Sequence, residues 1–127
     1  MSLKNDAFPS SVAFDDINNA LKASESERKQ AIKQANAIFA FKLTNASGEE
    51  QSWHIDLKKD GEVRKGLGTK PTVTLSLSEE DFGKLIAGKA NPQRMFMSGR
   101  LRVSGDIMKA NAMQSILKKA QAPKSTL

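Results

Sequence analysis

The segment from Gly88 to Ala110 constrains the fold more than any other part of the chain. It begins with a glycine that would end a helix, continues with an Asn-Pro helix start, and then runs through a short strand into a new helix. Gly99 and Gly105 separate these elements, and large flexible or aromatic side chains recur between them. Such a segment is typical of the lining of a cavity and not of a catalytic loop.

Helical spacing and capping residues predict the other helices. Apolar residues recur at this spacing near the start of the chain: Phe14, Ile17 and Leu21. Ser10 or Ser11 is the predicted N-cap of this first helix, and Ser26 is that of a second. Ser78 begins a third helix as part of a capping box in which Asp81 replaces the usual glutamate.

Alternating and β-rich segments predict five strands. They cover residues 37–43 and 53–57, a short stretch around Val63, and residues 72–77 and 100–104. Asp60-Gly61 predicts a hairpin between the second and third strands. The order α-α-β-β-β-β-α-α-β-α predicts an α+β fold in which about five helices cover one face of a five-stranded, mainly antiparallel sheet. We expect a single domain over residues 1–127, with residues 121–127 as a tail.

Several classes of site are excluded by composition, because the chain has no cysteine and a single histidine, His54. These counts exclude disulfides, thiolate catalysis and the usual multi-histidine metal sites, and no metal or cofactor is predicted. The first residues lack the apolar run of a secretory signal, and no stretch approaches the ~20 apolar residues of a membrane span. We therefore expect a soluble, intracellular protein.

Charge is unevenly distributed along the chain. Residues 1–63 have a formal balance of −2 and residues 64–127 one of +8, which gives the net charge of +6. A basic half would be attracted to an anionic surface, either nucleic acid or phospholipid headgroups. The chain has one Trp and no Tyr, and its Phe residues mostly follow apolar patterns, so nucleic-acid binding is not expected. A merely solvated basic face is the plain alternative.

Several polar residues suggest catalysis at first sight, but none forms a recognised catalytic pattern. His54 and Asp56 share a strand face with Ser52 nearby, yet no Gly-x-Ser-x-Gly motif is present, and an exposed histidine is the favoured interpretation. The Gly66-x-Gly68 pair lacks the third glycine of a phosphate loop. Acidic residues at helix starts are interpreted as capping charges. No enzyme is predicted.

Methionines are concentrated in the last third of the chain, where Phe96 lies among them: Met95, Met97, Met108 and Met113. Flexible thioether side chains adapt to varied shapes, which suits a site for partners without a fixed form. Methionines at helical spacing also fill ordinary cores. Periodicity alone leaves both interpretations open.

Four stretches are similar to a known family: Ser52–Lys58, Leu77–Phe82, Gly88–Gln93 and Phe96–Leu101. Through these stretches and the order of its elements, the chain resembles the sterol carrier protein type-2 family, and its length is most similar to the stand-alone, peroxisome-associated members of yeasts. The resemblance implies an apolar tunnel between the sheet and the helices. It also implies non-specific binding of fatty acids, fatty acyl-CoA esters, phospholipids and sometimes sterols, without catalysis.

The resemblance implies a set of residues that line this lipid tunnel: Phe14, Ile17, Phe82, Leu85, Ile86, Phe96, Met97, Leu101, Met108, Met113, Ile116 and Leu117. Four basic residues are candidates for attracting the carboxylate or phosphate of the ligand, or for docking the protein on an anionic membrane: Lys89, Arg94, Arg100 and Arg102. Because apolar burial is non-directional, acyl-chain length is expected to matter more than headgroup identity.

The resemblance also implies a peroxisomal location, with the cytoplasm as the alternative. Members of the family often end in Ser-Lys-Leu, whereas this chain ends in Ser125, Thr126 and Leu127, with threonine in place of the basic central residue. Two other functions remain open. One is a chaperone-like module that protects peroxisomal enzymes handling acyl-CoA, and the other is a nucleic-acid binder that uses the basic half.

Overall fold

A five-stranded mixed sheet organises the fold in the computed structural model, which describes residues 5–68, 70–110, 112 and 116–117. The strands are β1 (Ala37–Thr44), β2 (Glu50–Leu57), β3 (Glu62–Lys65), β4 (Val73–Ser78) and β5 (Arg102–Gly105). Their order across the sheet is β3-β2-β1-β4-β5. The central strand β1 is parallel to β4, and the other three pairs are antiparallel, so the predicted mainly antiparallel sheet is confirmed with one parallel pair.

The helices follow the predicted order around this sheet. A 3-10 turn (Pro9–Ser11) leads into α1 (Val12–Ala23), and the remaining helices are α2 (Glu25–Ala35), α3 (Glu79–Ile86), α4 (Pro92–Met97) and α5 (Ile107–Ala110). Residues 116–117 are also helical. Within the described part of the chain, no helix combines the length and the apolar character that crossing a bilayer would require.

Two of the predicted helix caps are wrong. Ser24, not Ser26, caps α2, because Ser24 is extended and its hydroxyl accepts from the Glu27 amide at 3.3 Å, whereas Ser26 already lies inside the helix. Ser11 precedes α1 but does not cap it, because the 3-10 turn continues directly into the helix. Its hydroxyl instead accepts from the amide of Asn5 at 2.8 Å.

The core lies on one face of the sheet and is built around an aromatic cluster. Phe41 and Trp53 are directly opposed on β1 and β2, so their side chains project from the same face. Phe14 of α1 stacks on Trp53 at a ring-centroid distance of 4.8 Å and on Phe82 of α3 at 5.0 Å. Each such ring contributes about 1.5–3 kcal/mol by burial, and each aromatic pair adds about 0.5–1.5 kcal/mol. This cluster fixes α1 and α3 against the two strands.

Candidate functional site

A surface pocket opens between the C-terminal end of α3 and helix α4. Its volume is about 730 Å³, which lies within the usual size range of small-molecule sites. We call it the α3–α4 pocket; its lining residues are Leu85, Gly88, Lys89, Ala90, Asn91, Pro92, Arg94, Met95, Ser98, Arg100 and Leu117.

Local sequence signals form the wall of this pocket. Gly88 follows α3 with a φ of 74°, a conformation that turns the chain away from the helix axis. The Lys89 amide then donates to the Lys84 carbonyl at 2.9 Å, which closes the end of α3. Asn91 starts α4 by accepting from the Gln93 amide at 2.8 Å. The predicted helix stop and the predicted Asn-Pro start are therefore confirmed, and together they shape the rim.

The lining has an apolar side and a polar side. Leu85, Met95 and Leu117 are almost fully buried, so they form the floor. The polar side carries amide, hydroxyl and cationic groups: Asn91, Ser98, Lys89, Arg94 and Arg100. The described residues that line the pocket include no aspartate or glutamate. This arrangement suits a molecule that has one hydrocarbon part and one polar, anionic part.

Arg100 differs from the other two cations of the pocket because it has a buried acidic partner. Its guanidinium donates through Nη2 to Oδ1 of Asp81 and through Nε to Oδ2 at 3.3 Å. The Asp81 side chain is only 9% exposed, so its charge requires this pairing. The Asp81 amide also donates to the Ser78 hydroxyl at 3.0 Å, which confirms the predicted cap of α3. The aspartate carboxylate, however, binds Arg100 across the pocket wall.

The structure brings only part of the predicted lipid-lining set to the pocket. Leu85 and Leu117 line it, together with the predicted basic residues Lys89, Arg94 and Arg100. Five others are buried in the core (Phe14, Ile17, Phe82, Leu101 and Ile116), and Ile86 is partly buried against it. Phe96, Met97 and Met108 are 47%, 85% and 83% exposed and lie outside this pocket. Met113 and the predicted targeting residues Ser125, Thr126 and Leu127 lie outside the described residues.

Met95 is a lining residue that the predicted lipid set lacks. It is 3% exposed, whereas the next two residues of α4, Phe96 and Met97, face outward. The six residues of α4 span less than two helical turns, which is too short for a hydrophobic period to separate an inner from an outer face. No local sequence signal marks Met95 as the inward residue; Pro92, three positions earlier on the same helix face, also lines the pocket.

A second cleft, of about 260 Å³, lies between α2 and the last described helical residues. It is lined by Glu27, Gln30, Ala31, Gln34, Ala35, Leu57, Ala112 and Ile116. Ile116 and Leu117 are neighbours in sequence, yet one lines this cleft and the other lines the α3–α4 pocket. The last described helical residues therefore separate the two.

His54 is buried, and the prediction of an exposed histidine is wrong. The loop after β3 covers it, and its Nδ1 lies 2.8 Å from the Gly66 carbonyl oxygen, so Nδ1 carries the proton and donates. Its neighbour Asp56 accepts from the amides of Lys58 and Lys59 at 2.9 and 3.0 Å. Burial alone would raise the pKa of Asp56, but these amides and the Arg64 charge lower the pKa below its usual value. Both side chains therefore hold backbone turns in place.

Metal chemistry has no support in the described residues, where no three His, Cys, Asp or Glu side chains form a group that could hold a metal ion. The pocket between α3 and α4 is the principal candidate site.

Comparison with known proteins identifies relatives along almost the whole chain. The family model described as the SCP-2 sterol transfer family matches residues 17–118. A fatty acid-binding protein of Yarrowia lipolytica is 46% identical over 126 residues, which cover 95% of this chain and 98% of the relative. An oleate-induced peroxisomal protein of Candida maltosa, POX18, is 42% identical and covers 94% of both chains. The apo structure of sterol carrier protein 2 from Yarrowia lipolytica superposes with a TM-score of 0.89 at 45% identity, over 97% of this chain and all of that one.

Proposed function

The chain belongs to the SCP-2 sterol transfer family, and we propose on that basis that it binds long-chain fatty acids and fatty acyl-CoA non-specifically and transfers them between sites in the cell. Phospholipids and sterols are further ligands of this proposal. The observation that carries it is the α3–α4 pocket, in which a buried apolar floor faces a cationic rim. The residues of the pocket serve binding and not catalysis.

The acyl chain supplies most of the binding free energy. A chain of ~16 carbons at ~0.8 kcal/mol per methylene gives roughly 12 kcal/mol before the costs of ordering and association. We place the chain against Leu85, Met95 and Leu117, which form the floor of the pocket. The buried residues of the predicted set, including Phe82 and Ile116, would contact the chain only where it extends into the core.

A peroxisomal location is part of the proposal, with the cytoplasm as the alternative. It is supported by the similarity to POX18, which is named as an oleate-induced peroxisomal protein. The predicted partners of the loaded protein are an anionic membrane surface, contacted transiently, and peroxisomal enzymes that handle acyl-CoA.

Filling the pocket tests the proposal. Ala90 lines the pocket and is only partly buried, so Ala90→Trp would occupy space there with little strain on the core. We expect its affinity for a fluorescent C16 fatty acid to fall at least about tenfold, equivalent to about 1.4 kcal/mol. Leu67→Trp, in an exposed loop that is not part of the pocket, should leave the affinity unchanged.

Native mass spectrometry of the purified protein gives an independent result, since co-purified lipid is expected in the wild type and should be depleted in Ala90→Trp. Displacement of the probe should strengthen with acyl-chain length from C8 to C16. Displacement that does not depend on chain length would contradict an apolar binding site.

A chaperone-like role is the second candidate function. Phe96 and Met97 of α4 are exposed apolar side chains, and such residues suit contact with another protein. In this case the Ala90→Trp variant would still protect an acyl-CoA-handling enzyme from heat inactivation, although it no longer binds lipid. Loss of both properties together would favour the carrier.

A further inference from the structure

We propose that the outer face of the sheet carries a second binding site, which takes a small phosphate monoester independently of the α3–α4 pocket. The site is a cleft of about 320 Å³ that we call the sheet-face cleft. Its polar lining residues are Lys42, Thr44, Glu50, Ser76, Arg100 and Arg102. The inference goes beyond the proposed lipid function and does not depend on it.

Strand alternation places this cleft on the face of the sheet opposite the aromatic core. Phe41 is fully buried in the core, so Lys42, the next residue of β1, projects from the other face. Lys42 is in register with Ser76 of β4, and Ser76 is in register with Arg102 of β5. The three side chains therefore form a row across three neighbouring strands.

The spacing of this row leaves room for a ligand between two cations. Neighbouring strands lie about 4.8 Å apart, so the Cα atoms of Lys42 and Arg102 are separated by about 10 Å. Both of these side chains are long, whereas the side chain of Ser76 between them is short. A group bound above Ser76 is thus within reach of an ammonium, a guanidinium and a hydroxyl.

The charges of the cleft favour a ligand with more than one negative charge. Arg102 lies outside the α3–α4 pocket, and in the described part of the chain it has no acidic partner. Nζ of Lys42 lies 3.9 Å from Oε1 of Glu50, a distance too long for a hydrogen bond, and a pair this exposed contributes little. Arg100 is already paired with Asp81. The cleft therefore offers two cations to an entering anion.

A phosphate monoester matches this set of donors. It carries a charge of about −1.5 to −2 at neutral pH and three acceptor oxygens, whereas a carboxylate carries a single charge. The guanidinium of Arg102 can donate two parallel hydrogen bonds to it, the ammonium of Lys42 acts as a point charge, and the Ser76 hydroxyl can donate a further hydrogen bond. The cleft volume falls within the range of small-molecule sites, so an organic group on the phosphate also fits.

Arg100 separates the sheet-face cleft from the α3–α4 pocket, because it is the one described residue that lines both. Its guanidinium donates to both carboxylate oxygens of the buried Asp81 side chain, which holds it in place as a wall. We therefore expect the two sites to take their ligands separately.

An NMR titration of the whole chain with glycerol 3-phosphate tests the site, at about 50 mM NaCl because exposed charges are screened by salt. We expect saturable shifts of the Lys42, Ser76 and Arg102 amides, and little change at Lys89 and Arg94 on the rim of the α3–α4 pocket. Acetate should bind at least about tenfold more weakly, and inorganic phosphate no more tightly than the ester. Saturation with palmitate should leave the affinity for glycerol 3-phosphate unchanged.

Variants of the cleft predict changes of affinity in both directions. Lys42→Gln/Arg102→Gln should weaken binding of glycerol 3-phosphate at least about tenfold. Glu50→Gln should strengthen it about threefold, because it removes the carboxylate that repels the phosphate. A merely structural role of these side chains would not produce such a gain.

Two controls accompany these variants. Lys58→Gln/Lys59→Gln removes the same charge from exposed residues outside the cleft and should leave the affinity unchanged. Lys42→Arg/Arg102→Lys keeps both charges and should retain the affinity within about threefold.

Four results would overturn the assignment. They are largest shifts at Lys89 and Arg94, acetate binding as tight as that of the ester, binding of inorganic phosphate without binding of the ester, and an equal loss in Lys58→Gln/Lys59→Gln. Each of them would leave the lipid carrier intact, since that function is measured with fatty acids at the α3–α4 pocket.

Discussion

The carboxylate of Asp56 shows how a single buried side chain can make the stability of this fold depend on pH. Amides of the turn after β2 donate to it, and its pKa is lowered in the folded protein. Its value in the unfolded chain is about 3.9. A lowered folded pKa means that the charged form stabilises the fold fully above about pH 4 to 5, and that this contribution is lost as the pH falls through the folded pKa.

Asp56→Asn tests this contribution, since asparagine keeps the Oδ1 acceptor and removes the charge. We expect the variant to be about 1 kcal/mol less stable at pH 7 in urea unfolding, and the difference to disappear as the pH falls below the folded pKa. Glu25→Gln, which removes an exposed carboxylate paired with Lys29, should change stability by less than about 0.5 kcal/mol. A difference between Asp56→Asn and wild type that stays constant down to pH 2.5 would show that the charge is not its cause.

The capping, burial and side-chain direction of some single residues could not be predicted from the sequence. Ser24 and Ser26 are both chemically competent caps, and only the backbone conformation, extended at Ser24, selects between them. The burial of His54 depends on a loop that returns across it after β3, which no local pattern around the histidine encodes. The outward direction of Met97 likewise depends on how the short helix α4 packs against the rest of the fold.

At the scale of elements, periodicity predicted most of the fold. The amphipathic stripe of α1, the alternation of β2 and β4, the Asp60-Gly61 hairpin and the ends of α3 and α4 are all local properties, and the structure confirms them. The parallel pairing of β1 with β4 was not predictable in this way, because it joins segments separated by the whole β2–β3 hairpin. Non-local pairing such as that of β1 with β4 is determined by side-chain packing across the sheet.

The junction between β5 and α5 gives a sharp prediction at this scale. Gly105 has a φ of 95°, and a Cβ added there would lie 2.5 Å from the Thr72 carbonyl oxygen, which is backbone and cannot rotate away. Gly66 has a similar φ of 93° with nothing within 4 Å of the added atom. Gly66→Ala should therefore cost about 1 kcal/mol for the left-handed conformation alone.

Gly105→Ala should cost about 3 kcal/mol or more, because the steric clash adds to the same conformational strain. Thermal and urea unfolding of the two variants measure this difference directly. Equal destabilisation would mean that β4 and β5 can separate at this point, and that the register from Val73 to Gly105 is not fixed by close backbone contact.

At the scale of the whole molecule, the net charge of +6 favours electrostatic attraction of the protein to anionic surfaces. Three exposed basic side chains near α4, those of Arg94, Arg100 and Arg102, belong to the second half of the chain, where the positive charge is concentrated. Exposed basic residues close to an anionic bilayer each contribute about 1 kcal/mol of attraction. We therefore expect an anionic membrane to attract the surface that contains the pocket rim.

Transfer of a fluorescent fatty acid to vesicles tests this attraction. We expect transfer to vesicles containing an anionic phospholipid to be severalfold faster than to zwitterionic vesicles at about 50 mM salt, and the difference to shrink at about 500 mM, where the Debye length falls from about 14 to about 4 Å. Arg94→Gln/Arg102→Gln should reduce the preference for anionic vesicles, whereas Lys58→Gln/Lys59→Gln should retain it. Both double variants lower the net charge equally. An equal reduction of the preference for anionic vesicles would therefore assign the attraction to the overall charge. A larger reduction in Arg94→Gln/Arg102→Gln would assign it to the surface around α4.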